Sequence, residues 1–403
     1  MRIVFFHEVN YLLKPVYEMH EFPEFLSTRG HHVDFVHFAE GDRRGQMRRA
    51  MLSEIAPKKS HAQGHTEVML HTPFQVGGGL IARGLAFILS PIQVPLIIRR
   101  LRPEVVVSYS VATNGLALAL TCSFLRIPLV LRVIDVPSRI RSVGPLRKVI
   151  RLSEKALARR STKVSALTPS LRDRFANLTE GDLEKFTVDP PPLNTRHFEV
   201  KSNQIVSFRK NAGWEAKTVF VFVGTFFHFA QLDELVRDFG QKSDDTDLLV
   251  LYGGGEAQPQ IEKALDELPE GARSRIRLGG FLSYEDMPTV LAAADVAINS
   301  LRPSTVTNEA LPNKVLQYAA AGLPIVSTRL SSLEEVFSEE DLGIYWVDDM
   351  SSMTIMCKKV ASMDTESLSK VRLYNKAFSK ERFNLEVAGS RMERLILSAA
   401  RKP

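Results

Sequence analysis

Short apolar runs alternate with helix-length segments along nearly the whole chain. In the first half the strand-like runs are IVFF (3–6), VDFVHF (33–38), VVVSY (105–109), PLVLRV (128–133) and KVSAL (163–167). Between them lie segments of helical length, VATNGLALALTCSFLR (111–126) and PLRKVIRLSEKALARR (145–160). The second half repeats the pattern with TVFVFVG (218–224), LLVLYG (248–253), RIRLGG (275–280), VAIN (296–299), PIVST (324–328) and IYWV (344–347). Strands that are apolar throughout belong in parallel sheets covered on both faces by helices. The pattern therefore predicts an α/β chain with two doubly wound, Rossmann-like parallel-sheet domains.

The boundary is expected within VDPPPLNTRHF (188–198), because consecutive prolines continue neither a helix nor a central strand. This gives a first domain over 1–193 and a second over 194–383. The closing segment, 384–403, reads as helical, and its pattern fits either closing the second domain or packing back on the first. Ligands of parallel sheets bind beyond the strands' carboxyl ends, so the two domains are expected to face one another across a cleft.

Composition narrows the class. With 403 residues, 44% hydrophobic and 24% charged, the chain is long enough for two cores and is not a disordered sequence. Cys122 and Cys357 stand far apart, which argues against a disulfide framework or a cysteine zinc site and fits a reducing, cytoplasmic setting. The opening MRIVFFHEV turns polar too early for a signal peptide. A net charge of +6 gathers in the first half, at 43–49, 99–102 and 139–160. Without aromatic interleaving or a known module, these clusters do not read as a nucleic-acid site. An anionic membrane surface is the better match. Residues 77–103 add a long apolar run interrupted by Pro91 and Pro95 and ended by arginines, read as a buried helix or an interfacial one.

Dinucleotide chemistry is disfavoured. FFHEVNYLLKPVYEMHEF has no glycine after the first strand, and FVGTFFHFAQLDEL carries only Gly224 of the fingerprint. Gly253, Gly254 and Gly255 follow another strand and leave room for a ligand, but no GK[ST] follows to make a Walker loop. The most informative stretch is NEALPNKVLQYAAAGLPIVST (308–328). Pro312 suits the first turn of a helix. Amides at that start, with those of Ala310 and Leu311, would offer an anion site, and Lys314 a point charge for a diphosphate.

This stretch, with Glu309, seven intervening residues, Gln317 and then AAAGLPIV, resembles the retaining GT-B-fold glycosyltransferases of family GT4, the glycosyl transferases group 1. RIRLGGFLSYEDMPTVLAAADVAINSL, LLVLYGGGEAQPQ, LRPEVVVSYS and the interdomain PPPLNTRHF are similar to further elements of that family. The resemblance implies the GT-B fold and metal-independent transfer with retention of a hexose-type sugar. The donor would be a UDP-, GDP- or TDP-sugar, with UDP the default, and no cofactor is called for. It assigns the donor sugar to Glu309 and the ribose to Gln317, where the family has a second glutamate. Gly224, Thr225, Gly254, Gly255, Ala310, Leu311, Pro312 and Lys314 would complete the donor site. Departures fall at Phe226 and Gln231, where many members place the Arg and Lys that grip the diphosphate.

In the first domain Asp135 matches an acid that the family often places beyond the fourth strand, and is expected to act in catalysis. His7, Asn10 and Arg132 are the acceptor-side candidates. The acceptor is expected to be a glycan or a lipid-linked hydroxyl in cell-surface polysaccharide or glycolipid synthesis, met at the cytoplasmic membrane face. Two rivals share the fold. One is an epimerase, in which Glu309 and Asp135 would serve as acid and base. The other is a non-catalytic sugar-nucleotide-binding homologue, favoured by Gln317, Phe226 and Gln231.

Overall fold

The structure, a computed structural model, describes residues 1–38, 51–60, 64–74, 79–109, 111–139, 144, 146–179, 183–337 and 343–401, without the side chains of 79–82. The basic segment 41–50 lies outside the described residues. The chain divides into two compact units, Met1–Leu193 with Leu385–Pro403, and Asn194–Asn384.

The first unit runs β1 (Arg2–Phe6), α1 (Glu18–Thr28), β2 (His32–Val36), β3 (Leu52–Ile55), β4 (Val68–Thr72), α2 (Gly79–Leu101) and β5 (Val105–Ser108). It continues with α3 (Gly115–Leu125), β6 (Leu129–Val133), α4 (Arg147–Arg160), β7 (Lys163–Ala166), α5 (Pro169–Ala176) and β8 (Phe186–Val188). These strands form one sheet in the order β3-β4-β2-β1-β5-β6-β7-β8, in which only β3 runs antiparallel to its neighbour. Val105, Val106, Val107, Leu129, Val130 and Leu131 are fully or almost fully buried, as strands covered on both faces must be.

Helix α2 runs unbroken through Pro91 and Pro95, contrary to the expectation that they interrupt it. Pro91 lacks the N–H that would bond the carbonyl of Phe87. The Ser90 hydroxyl takes that carbonyl instead, at 2.8 Å, so the helix carries the proline with one lost bond replaced.

The second unit runs α6 (Ser202–Ala212), β9 (Thr218–Val223), α7 (Leu232–Lys242), β10 (Asp247–Tyr252), α8 (Gln258–Asp266), α9 (Glu270–Arg273) and β11 (Ile276–Gly280). It continues with α10 (Met287–Ala293), β12 (Val296–Asn299), α11 (Asn313–Ala321), β13 (Ile325–Thr328), α12 (Ser331–Val336), β14 (Ile344–Val347), α13 (Met353–Ala361) and α14 (Thr365–Arg382). Its sheet is wholly parallel, in the order β11-β10-β9-β12-β13-β14.

The last helix, α15 (Leu385–Ala400), returns to the first unit and packs on α1. Leu385, Ala388, Met392, Leu395 and Ile396 join the core formed by Phe22, Phe25 and the first strands. A Cβ on Gly389 would stand 2.6 Å from the Phe25 ring, so only glycine lets the two helices approach this closely. Glu393 pairs with His31 at 2.8 Å and with Arg29 at 3.4 Å beside this contact.

Candidate active site

In the second unit β9 lies between β10 and β12, so the winding direction reverses at its side. Parallel sheets bind ligands in the crevice that such a reversal opens beyond the strands' carboxyl ends. Several segments are tied to that end of β9. The amide of Phe226 donates to the carbonyl of Gly254 (3.0 Å), and Arg302 donates its amide to Phe229 (2.7 Å). Ser300 donates its hydroxyl to the carbonyl of Ala230, at 2.6 Å.

Two of the three glycines after β10 serve this packing rather than leaving room for a ligand. At Gly253, with φ at 139°, a Cβ would lie 1.9 Å from the Gly224 carbonyl oxygen. At Gly255 it would press on the backbone of Phe226, at 2.7 Å. Gly254 differs: its Cβ would meet only the tip of Gln258, 3.6 Å away.

Helix α11 is held against β9 by Tyr318, whose hydroxyl accepts from the Val223 amide (2.8 Å) and donates to the Val223 carbonyl (3.3 Å). Pro312 is the N-cap residue of this helix, with extended backbone at φ −68°, ψ 112°, not a first-turn residue. Having no N–H, it offers no amide to an anion. The donors at this end are the first-turn amides that precede any helical acceptor, beginning at Asn313. The segment leading in is anchored from α12, where Ser332 bonds the carbonyls of Asn308 (3.1 Å) and Ala310 (2.7 Å). Leu311 is buried there, and Glu309 and Ala310 are half-buried.

Lys314 is half-buried, and its amine lies inward over the Phe222 ring, 3.9 Å from the centroid. A Cβ on Gly224 would touch its Cδ at 3.6 Å, so the lysine borders the loop after β9. Burial pushes the amine down to about 7, with no acid offsetting that effect among the described residues. Gln317 is half-buried one turn further along the same helix, three residues after Lys314 and so on its face.

The departures at Phe226 and Gln231 have a structural account. Phe226 is buried and packs near Phe222, at 6.3 Å between centroids. Gln231 precedes α7 in the left-handed region, at φ 52°, and donates to Glu234 at 2.9 Å. The first turn of α7 carries Asp233 and Glu234, so its dipole is met by carboxylates. The first turn of α11 carries no acid. An anion therefore finds the start of α11, with Lys314 beside it, the more favourable of the two. Thr225 is exposed at the entrance to the β9 loop.

In the first unit the reversal falls at β1, between β2 and β5. His7 and Glu8 follow β1, and Glu8 accepts from the Thr113 amide beyond β5. His7 is buried against Tyr109, with centroids 4.9 Å apart, and Tyr17 hydroxyl approaches its Nε2 at 3.3 Å. Burial, assisted by His20 and Lys14, pushes its imidazole down to about 3, so it stays neutral at ordinary pH. Asn10 accepts from the amide of Leu12, at 2.9 Å. Asp135 follows β6 with its side chain open to solvent. The surrounding protein mass, then Glu8 and Glu154, push its carboxyl up to about 6, an effect that contact with water moderates.

Arg132 does not serve the acceptor side. It is 1% exposed, and its guanidinium is bound inside the domain. Nε and one terminal nitrogen hold Glu18 at 3.0 and 2.7 Å, while the other donates to Ser165 and to the Asp189 carbonyl, both at 2.8 Å. With its donors committed, it braces α1 against β6 and β7.

Two family models match the chain: the glycosyl transferase 4-like domain over residues 21–191 and the glycosyl transferases group 1 over 217–361. The solved structure of Anabaena Alr3699/HepE with UDP and glucose is similar at TM-score 0.74 and 15% identity, covering 99% of this chain and 100% of that one. Sucrose-phosphate synthase from Thermosynechococcus elongatus is similar at TM-score 0.74 and 14% identity, covering 98% of each chain. WaaG, a glycosyltransferase involved in lipopolysaccharide biosynthesis, is similar at TM-score 0.68 and 16% identity, over 98% of this chain and 99% of that one. No curated protein sequence is similar enough to count as a relative. The fold is thus that of the GT-B glycosyltransferases. With a glycosyltransferase domain matched in each half, the protein belongs to the glycosyltransferases of that fold.

Proposed function

We propose that the protein is a metal-independent, retaining glycosyltransferase of family GT4 that moves a hexose-type sugar from a nucleotide-diphosphate sugar to a hydroxyl of a glycan or lipid-linked acceptor. The observation that carries the donor half is Lys314, an amine with no acid partner among the described residues, beside the acid-free first turn of α11 at the winding reversal. Breaking the anomeric bond throws negative charge onto the departing diphosphate. Donors already in place there lower the barrier without reorganising. Lys314 and the first-turn amides take that role, Glu309 accepts from hydroxyls of the donor sugar, and Gln317 bonds the ribose. Gln317 offers both an acceptor and a donor in place of a charged acceptor. UDP is the preferred nucleotide, supported by the similarity to HepE, which was solved with it. A glycolipid acceptor is supported by the similarity to WaaG and by the surface described below.

Three variants test the assignment, with UDP titrations in EDTA and transfer assays on lipid extracts. Glu309→Gln should lower turnover about tenfold to a hundredfold, as loss of a charged bond of about 1.5–3 kcal/mol implies, while sparing UDP affinity. Gln317→Ala should weaken UDP and donor alike and leave saturated turnover less changed. Gln317→Glu should tighten UDP if the glutamine is a weakened ribose ligand. Unchanged turnover in Glu309→Gln would move the donor sugar to another loop. UDP binding that appears only with magnesium would end the metal-independent reading. Intact UDP binding with no transfer to any acceptor would favour the binding homologue.

A further inference from the structure

The crossovers through α2, α3 and α4 all run in one direction across the first sheet, whereas α1 runs the other way and packs with α15. Right-handed crossovers therefore place α2, α3 and α4 side by side on one face, with α1 and α15 on the other. That shared face is unusual. Helix α2 is apolar enough to cross a membrane by length and composition, yet only 28% of Arg83–Leu101 is buried. A core helix of such composition would be mostly covered.

The exposed side chains form ridges. On α2, Ile88, Ile92 and Leu96 stand 67%, 63% and 59% exposed at four-residue spacing, one stripe of the helix. On adjoining α3, Leu120 and Phe124 repeat that spacing, and Phe124 is 82% exposed. Leu152 stands exposed on α4. On these three helices the exposed charges are of one sign: Arg99 and Arg100 at the end of α2, and Arg147, Lys148 and Arg151 on α4. Neither α2 nor α3 contains an acid. The single acid of α4, Glu154, is buried and bonded to the Ser138 amide and hydroxyl.

We infer that the α2–α3–α4 face of the first domain docks on an anionic lipid bilayer. The apolar ridges enter the boundary between headgroups and acyl chains, and the arginines and lysines of α2 and α4 meet lipid phosphates. Charge decides between occupants. A second copy would set this basic face against itself or need an acidic patch, whereas an anionic bilayer complements it directly. Helix α2 lies in the interface and does not span it, because its buried side, with Val94, Ile97 and Ile98, is packed in the domain. This inference goes beyond the donor-site assignment, and its test uses no nucleotide sugar.

Co-sedimentation with vesicles decides it. The protein should pellet with equimolar phosphatidylcholine and phosphatidylglycerol, and weakly with phosphatidylcholine alone. High salt should release it in part. Replacing Phe124 and Ile92 together by serine should lower vesicle affinity at least tenfold. Arg147→Glu with Arg151→Glu should cost about fivefold or more per charge and remove the preference for phosphatidylglycerol. UDP affinity, measured in the same variants by calorimetry, should be unchanged, and the unfolding transition of the first unit should match the parent's, which separates a failed donor site or a failed fold from a failed docking surface. Equal binding to neutral and anionic vesicles, no binding to either, or serine variants that bind like the parent would overturn the inference. So would a lipid-free dimer that the Phe124 and Ile92 replacements dissociate, which would assign the face to a second copy.

Discussion

Lys314 is the residue on which the donor assignment turns, and its chemistry makes a prediction that no surface lysine would. Its amine sits at about 7 because burial disfavours the charged form. A bound diphosphate supplies the missing counter-charge and raises it. Between the free and bound values, binding takes up a proton, so UDP affinity should fall as pH rises above 7, by at most about tenfold per unit. Calorimetry in buffers of different ionisation heat would count that proton. Lys314→Met should abolish the proton uptake and cost about tenfold to a hundredfold in affinity, the worth of a charge-assisted bond. Proton uptake that persists in Lys314→Met would place the titrating group elsewhere. The lysine and Gln317 are legible as neighbours in the sequence because residues three apart share a helix face. The ring beneath the amine is not, since Phe222 comes from a distant strand and no local pattern pairs them. Arg132 shows the opposite failure. Read as an acceptor-side residue, it belongs instead to an otherwise apolar, two-sided strand, where a charge must be buried with a partner, here Glu18.

At the scale of elements, the long apolar strands and the helices between them were legible because their periodicities are strong. What periodicity did not mark were β3, β4 and β8. The first is an exposed edge strand with little apolar signal, and the other two are short runs inside polar segments. The prolines of α2 misled for a related reason, because their cost is local and a nearby serine hydroxyl offset part of it. The same attention to single bonds between elements identifies Tyr318 as the joint between α11 and β9. Tyr318→Phe removes both bonds to Val223 and leaves its buried amide and carbonyl without them. That should destabilise the second domain by about 1–3 kcal/mol. It should also weaken UDP binding, because Lys314 is positioned by the helix that loses its anchor. Thermal unfolding and UDP titration of the one variant would check both. Weakened stability with undiminished UDP affinity would show that the start of α11 holds its place without the tyrosine.

For the whole molecule, the sequence left open which domain the last helix serves, because an amphipathic pattern states that a face is buried and not against what. The answer lies in a contact between distant residues: Gly389 admits the Phe25 ring where any side chain would collide. The chain therefore leaves its first domain at Leu193, builds the second and returns at Leu385, and the Leu385 amide bonds the Leu193 carbonyl at 3.0 Å at that return. The first core is thus completed only after the second domain has been made, although its stability rests on contacts within the first unit. A substitution at the helix contact should act on the first unit alone. Gly389→Val forces carbon atoms into the Phe25 ring, and overpacking of this kind costs about 1–3 kcal/mol. In differential scanning calorimetry the two units should give separable transitions. UDP should raise the one that belongs to the second unit, because a ligand stabilises the folded state that binds it. Gly389→Val should lower the other transition by several degrees and leave UDP affinity intact. A variant that melts with the parent's profile, or that shifts the UDP-sensitive transition instead, would show that α15 does not support the core of the first unit.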